Sequence, residues 1–407
     1  MKRLLSVNNY FYRRGGADVL FFEHDRLFRE IGWETAQFAM RHQHNEHSDW
    51  SRYFVNEIEF DGDYSALQKA WRGSKAVYSF EARSKLASLL DEFNPDLVHA
   101  HNIYHHLSPS ILGVMGNRGT PTVMTLHDLK LACPAYKMLR EGKVCEACKE
   151  GGVRQVLANR CMKSSWSLSA VVYAEAMLHK VLNSYEQNIT KFIVPSRFYR
   201  EKLLEWGKDG EKIAYVPNFV DVEKFEPGYE PGRVALYFGR LSSEKGVDTL
   251  IRAAALANVE LHLIGTGPEE ETLRELATEL GACVEFKGYM SGNGLHEAVR
   301  SARTVVLPSE WFENAPLSVM EAYALGKPVV GAGIGGIPEL IKEAETGFTF
   351  ESGSVDALAG VLSRVATLPD AEVERMGRRG RSWMDSNFSV PRYRERILEL
   401  YGQLEST

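Results

Sequence analysis

The chain has 407 residues, more than one hydrophobic core usually serves, so two domains of roughly 200 residues or less are expected. Hydrophobic residues at 44% and charged residues at 25% are ordinary for a folded chain and exclude a disordered or collagen-like one. A net charge of -6 excludes a global basic field for nucleic acid, and no stretch approaches the roughly 20 apolar residues of a membrane-spanning helix.

Lys2-Arg3 precede an apolar run too short for a signal peptide. Leu4 to Val7 predicts a buried strand, and a loop with Gly15-Gly16 follows it. A helix is expected over 17–31, and strands over 35–40, 97–101 and 122–126. In the second half the rhythm restarts. Strands are expected at 234–238, 261–264, 284–286, 304–307 and 328–330. Helices are expected at 249–257, 269–280, 295–302, 318–325 and 338–342. This alternation predicts an α/β architecture with parallel sheets covered on both faces. The halves meet near Val216-Pro217-Asn218, which suggests a ligand cleft between them at the carboxyl ends of both sheets.

The most informative segment runs from Leu307 to Val330. A strand ends at Pro308, a loop carries Glu313, and a helix carries Glu321 about one turn inside. The N-terminus of such a helix offers free N–H groups and a positive dipole end, suited to phosphate. Carboxylates beside it can accept hydrogen bonds from ribose or sugar hydroxyls. An ordinary helix with an acidic first turn is the plain alternative.

This segment closely resembles the signature of the retaining glycosyltransferases of family 4, which have the GT-B fold of two Rossmann-like domains facing across a cleft. Other matches fall in the family's order: Gly15-Gly16, Leu126-His127-Asp128, Val216-Pro217-Asn218-Phe219-Val220-Asp221, Gly239-Arg240…Lys245-Gly246, Gly265-Thr266-Gly267 and Gly288-Tyr289. The resemblance implies an acceptor-side domain over 1–215 and a nucleotide-sugar-binding domain over 216–385. It implies a helix within 386–407 that packs back on the first domain. Arg240 and Lys245 are implied to neutralise the donor diphosphate, with Gly15 and Gly16 bringing backbone close to it and Gly265 also at the donor. Glu313 is implied to hold the transferred sugar, Glu321 the ribose, and His127 the sugar near the reacting carbon. Backbone around Tyr289 and Met290 is implied to meet the nucleobase. Where many members have Gly-Phe-Gly after the first Glu, this chain has Asn314-Ala315-Pro316. Proline has no N–H, so Leu317 and Ser318 must supply the amides, with Asn314 beside them.

The chain is read as lacking an Asp-x-Asp that would hold a divalent metal on the diphosphate, so neither a catalytic metal nor an organic cofactor is expected. The expected reaction moves a sugar from a UDP- or GDP-sugar to a glycan, lipid-linked or small-molecule acceptor, in cell-surface polysaccharide biosynthesis. The alternatives are a GT-B nucleotide-sugar epimerase and a non-catalytic nucleotide-sugar-binding subunit. Gly331-x-Gly333-x-x-Gly336 nominally fits a dinucleotide fingerprint but falls late in its half, and is read as a loop lining the donor cleft.

Cys133, Cys145, Cys148 and Cys161 fall in a basic insertion over 133–161, and four thiolates with one tight Cys-x2-Cys can close a structural zinc site. Unconnected reduced thiols are the plain alternative. Five cysteines in this length point to the cytoplasm. His101 is expected to face the acceptor. A helix over 166–185, apolar at Val171, Val172, Met177, Leu178, Val181 and Leu182, is expected to face the core, with peripheral contact at the inner membrane face as the other use of its basic and aromatic flank.

Overall fold

The computed structural model describes residues 1–59 and 64–405. The first half builds β1 (Arg3–Val7), α1 (Gly16–Glu30), β2 (Glu34–Phe38), α2 (Ala66–Val77), α3 (Phe80–Phe93), β3 (Leu97–Ala100), α4 (Leu112–Gly116) and β4 (Thr122–Thr125). An insertion follows, with the two-residue strands β5 (Leu139–Arg140) and β6 (Lys143–Val144) and the short helices α5 (Ala147–Gly151) and α6 (Gln155–Ala158). The half closes with α7 (Trp166–Val181), α8 (Ser184–Asn188), β7 (Lys191–Val194), α9 (Arg197–Glu205) and β8 (Ile213–Tyr215).

The second half carries β9 (Ala235–Phe238), α10 (Val247–Ala257), β10 (Leu261–Ile264), α11 (Glu270–Glu279), β11 (Val284–Gly288), α12 (Gly292–Arg300), β12 (Thr304–Leu307), α13 (Leu317–Ala324), β13 (Val329–Ala332), β14 (Gly347–Phe350) and α14 (Val355–Thr367). The chain ends in α15 (Asp370–Phe388) and α16 (Val390–Glu405).

Two six-stranded sheets result, ordered β2-β1-β3-β4-β7-β8 and β11-β10-β9-β12-β13-β14, with parallel pairings throughout. The inner strands read as near-continuous apolar runs because helices cover both faces: Leu4, Leu5, Val98, Leu236 and Leu263 are all fully buried. Strand order reverses at β1/β3 in one sheet and at β9/β12 in the other, and crevices open at the carboxyl ends of such pairs. The loops carrying the motif residues leave those ends.

α16 closes the fold on the opposite half. Tyr393, Ile397, Leu400, Tyr401 and Leu404 recur at helical spacing and bury against Leu4, Leu20, Leu27, Phe28 and Leu97 of the first half. Residues 406–407 of that expected segment lie outside the described residues.

Two sequence expectations change. The helix expected over 338–342 is only a single turn, Ile337–Leu340, with Pro338 in it, before the chain returns as β14. The helix expected over 166–185 breaks at Leu182, where Asn183 adopts a left-handed conformation and α8 begins. Its buried face is Ser169, Val172, Glu175 and His179, whereas Met177, Val181 and Leu182 are exposed. Apolar count misled here because a polar network, not a hydrophobic stripe, seats the helix: Glu175 accepts from Lys130 at 2.6 Å, and His179 bonds Ser184 and the Val77 carbonyl.

Candidate active site in the interdomain cleft

Two helix N-termini meet across the cleft. α1 begins at Gly16 and α13 at Leu317, and a Cβ on Gly16 would stand 3.5 Å from the Leu317 side chain. The first N–H groups of each helix have no partner within the helix, so both positive ends face one space. Pro316 is extended (φ -67°, ψ 124°) and starts α13 without needing an N–H.

Glu313 lies at the head of that space. Lys245 Nζ donates to its Oε1 at 2.6 Å and the Ser309 hydroxyl at 2.7 Å. Burial acts to raise its pKa, but Lys245 and the hydrogen bonds outweigh it and hold the carboxyl below its ordinary value. Arg240, on the loop after β9, is exposed and makes no ion pair among the described residues. Glu321, one turn into α13, has no hydrogen-bond partner among the described residues, and burial pushes its carboxyl up to about 7. One carboxylate is thus held ionised by a neighbouring cation, while the other has no such neighbour among the described residues.

The glycines explain how the loops come so close. A Cβ on Gly265 (φ +132°) would stand 1.8 Å from the Gly239 carbonyl oxygen, so the loops after β9 and β10 touch only because Gly265 lacks a side chain. The Gly331-x-Gly333-x-x-Gly336 stretch has a packing role. Cβ atoms on Gly335 and Gly336 would strike the backbone of Glu313 and Asn314, so this loop buttresses the one that carries Glu313.

Asn314 is committed elsewhere too. Its amide donates to the Leu126 carbonyl at 2.9 Å and accepts from Ser196 Oγ at 2.9 Å. It therefore ties the Glu313 loop to the residue just before His127. Tyr289 is 76% exposed and Met290 is half-buried at the end of β11, on the loop where Gly265 N–H meets the Gly288 carbonyl.

From the first half come His127 and Asp128. His127 Nε2 is 2.9 Å from His101 Nδ1, and burial pushes the His127 imidazole down to about 4. Burial likewise raises Asp128 to about 6, against the Lys130 N–H and charge that favour its ionised form. His101, expected to face the acceptor, is 2% exposed and sits behind His127. Sequence reasoning missed two residues. Arg14 precedes Gly15-Gly16 directly, and its guanidinium lies 4.7 Å over the Tyr10 ring. Tyr136, in the insertion, stands among the charges of Asp128, Glu244, Arg240 and Arg14. Adjacency to the glycine pair was a usable signal for Arg14; Tyr136 had none.

Cys133, Cys145, Cys148 and Cys161 surround one cavity of about 10 Å³. Backbone N–H groups of Met138 and Ala135 point at the Cys133 sulfur, and Trp206 Nε1, shielded from solvent and without an acceptor, lines the same space. The thiols are free, and among the described residues no three His, Cys, Asp or Glu side chains already stand as a ligand set. Burial and neighbouring thiols push Cys148 up to about 12. Contrary to the reading that the chain lacks one, an Asp-x-Asp occurs at Asp61-Gly62-Asp63; it lies outside the described residues.

The fold is that of the GT-B glycosyltransferases, two Rossmann-like domains facing each other across a cleft. Within that class the chain belongs to glycosyltransferase family 4: residues 14–224, just over half of it, match Glycosyltransferase Family 4, and residues 221–383 match Glycosyl transferases group 1. Among curated relatives it is 27% identical over 295 residues to the sulfoquinovosyl transferase SQD2 of Arabidopsis thaliana, covering 69% of this chain and 52% of that protein. It is 30% identical over 230 residues to a D-inositol 3-phosphate glycosyltransferase of Actinosynnema mirum, covering 49% and 53%. The chain thus spans about half the length of the curated relatives it matches. Solved structures that share its fold include a sucrose-phosphate synthase from Thermosynechococcus elongatus (TM-score 0.73, 18% identity, all of both chains) and Anabaena HepE in complex with UDP and glucose (TM-score 0.68, 18% identity, 99% and 100%).

Proposed function

We propose that the protein is a retaining glycosyltransferase that moves a sugar from a UDP- or GDP-sugar to a glycan, lipid-linked or small-molecule acceptor in cell-surface polysaccharide biosynthesis. The observation that carries this reading is the Lys245–Glu313 pair set where α1 and α13 point their N-termini at one space. Breaking the sugar–phosphate bond leaves charge on the β-phosphate. Arg240, Lys245 and the amides of Leu317 and Ser318 lower the barrier by meeting that charge with fixed positive ends. Glu313 orients the sugar hydroxyls, Glu321 takes the ribose, and His127 donates or accepts at the sugar near the reacting carbon. The leaving phosphate assists front-face attack, so no protein nucleophile is assigned.

Phosphate neutralisation by side chains and amides makes a catalytic metal unnecessary. Peripheral membrane contact is supported at the edge of the acceptor half, where Leu67, Trp71, Phe80 and Trp166 are exposed and Lys75 Nζ lies 4.0 Å over Trp71. No helix among the described residues is long and apolar enough to cross a membrane. In the insertion, rotation of the four thiols toward their shared cavity would give a tetrahedral zinc site with N–H donors already aimed at sulfur.

The test is a thermal-shift screen of nucleotide-sugars, followed by incubation of the best binder with and without acceptors. Transfer to an acceptor, with donor consumed, is the expected result. Conversion of donor to an epimer without acceptor would favour the epimerase, and binding without turnover the silent subunit.

A further inference from the structure

Three parallel imidazoles stack beneath the cleft. His99 and His101 have ring centroids 4.4 Å apart at 14°, and His101 and His127 are 5.2 Å apart at 15°. The inner end of this column is anchored. His99 Nε2 bonds Thr125 Oγ1 at 2.7 Å, and His99 Nδ1 bonds the Tyr401 hydroxyl of α16 at 2.5 Å. His24 joins there, 3.1 Å from His99 Nδ1 and 2.8 Å from the Tyr393 hydroxyl. The outer end is His127, whose Nδ1 is not among the enclosed, partnerless atoms and has no protein partner among the described residues.

Burial keeps each of these imidazoles neutral, so each carries one N–H. The His101–His127 bond therefore has two proton arrangements. In one, His127 donates from Nε2, and the His101 proton must sit on His101 Nε2. That nitrogen is shielded from solvent and has no partner, so its N–H would be a buried donor with nothing to meet it. In the other, His101 donates from Nδ1 to His127 Nε2, the orphan is only a lone pair, and the proton of His127 moves to Nδ1. Buried N–H groups without an acceptor are the rarer and costlier kind of orphan.

We propose that His101 is a positioning residue: it donates Nδ1–H to His127 Nε2, holds the His127 ring in the stack, and so presents His127 Nδ1–H to an oxygen of the bound sugar. This rests on the donor site proposed above. Only the ring held this way arrives as a donor in a fixed direction; a freely tautomerising His127 would offer that N–H part of the time. Misorientation of a contacting group by a lost neighbour commonly costs 10- to 100-fold.

The experiment uses the full chain labelled with nitrogen-15 histidine, with the His127 resonances assigned by their loss in His127→Gln. Long-range proton–nitrogen spectra should show His127 protonated at Nδ1 in the unmodified protein, and mixed tautomers in His101→Phe, which keeps a flat ring in the stack. Donor turnover by His101→Phe should fall about 10- to 100-fold with KM for the donor within about threefold. His101→Asn, whose amide nitrogen reaches roughly where Nδ1 lies, should recover most of the turnover. An Nε2-protonated His127 in the unmodified protein overturns the proposal. So do unchanged His127 signals in His101→Phe, or equal losses in the Phe and Asn variants that track a loss of thermal stability. If no nucleotide-sugar is turned over by the unmodified protein, the functional reading fails, and the tautomer spectra still decide this one.

Discussion

At the residue scale, the two carboxylates of the cleft differ in what surrounds them. Glu313 has a cation and a hydroxyl; Glu321 has neither among the described residues. Burial lifts Glu321 from the ordinary 4.5 to about 7, so the folded state holds this proton more tightly than the unfolded chain does. Its contribution to stability is full below about pH 4.5 and is lost as pH rises through about 7. Glu321→Gln should flatten that part of the melting-temperature profile. Donor affinity should run the other way, rising from pH 5.5 to 8 as the ionised carboxylate becomes available to ribose hydroxyls, and the variant should lose this slope in titration calorimetry. A pH-independent affinity in the unmodified protein would remove Glu321 from the donor.

The cations of the cleft separate by the same logic. Arg240→Ala and Lys245→Ala should each lower transfer about 100-fold or more, because each loses a charge-assisted contact made in the transition state. Their stabilities should diverge. Arg240 is exposed, so its loss should leave the melting temperature unchanged, whereas Lys245→Ala strands a buried Glu313 and should cost about 2–3 kcal/mol in denaturant unfolding. Near-normal turnover in both variants would place the phosphate clamp elsewhere.

At the element scale, the insertion stands out by its backbone. Tyr136, Met138, Glu141, Arg160, Lys163 and Ser164 all hold positive φ there, conformations that side chains other than glycine adopt at a cost. A metal cross-link would offset that cost. We expect about one zinc per chain by elemental analysis, lost in the Cys145→Ser, Cys148→Ser double variant, with new protease cleavage confined to 133–164. Metal-free protein that resists the protease equally well would leave the thiols as bystanders.

This scale also shows where the sequence was readable. Strands β1, β3, β4, β9, β10 and β12 announce themselves as short apolar runs because both faces of each sheet are covered. The insertion offers no such period, and α7 inverts it. Its seat is Ser169, Glu175 and His179, stabilised through the Lys130–Glu175 ion pair, which joins residues 45 apart and leaves no local trace. In the site, the contact of Gly265 with the Gly239 carbonyl joins two loops 26 residues apart and leaves no local trace. The buttressing role of Gly335 and Gly336 and the enclosure of His101 depend on what packs against them from distant segments, which spacing does not encode.

At the scale of the whole molecule, the halves are joined by bonds that gather around the cleft. Asn314 reaches Leu126, Asn218 Nδ2 donates to the Ala315 carbonyl, Glu339 accepts from the N–H groups of Arg197 and Phe198, and Lys137 pairs with Glu244 at 3.2 Å. The two halves of the site are thus set relative to each other by the same loops that carry Glu313 and His127. Such a preorganised charge pattern should act without a divalent ion, so transfer should survive EDTA. It should also hold the sugar for attack on the face the phosphate leaves. An α-linked donor is expected to yield an α-linked product by proton NMR, and a β-linked product would reject the retaining reading.

The helix that returns, α16, has a consequence for how the protein is made. Tyr393, Ile397, Leu400, Tyr401 and Leu404 complete the core around Leu4, Leu27 and Phe28, yet they are translated about 190 residues after β8 closes the first sheet. At roughly 5–20 residues per second, the nascent first half waits on the order of 10–40 s with that apolar seam uncovered, and with His99 and His24 lacking their tyrosine partners. A chain released from the ribosome before residue 390 should therefore be a chaperone client, and the sixteen residues of α16 act as the step that commits both halves to one molecule.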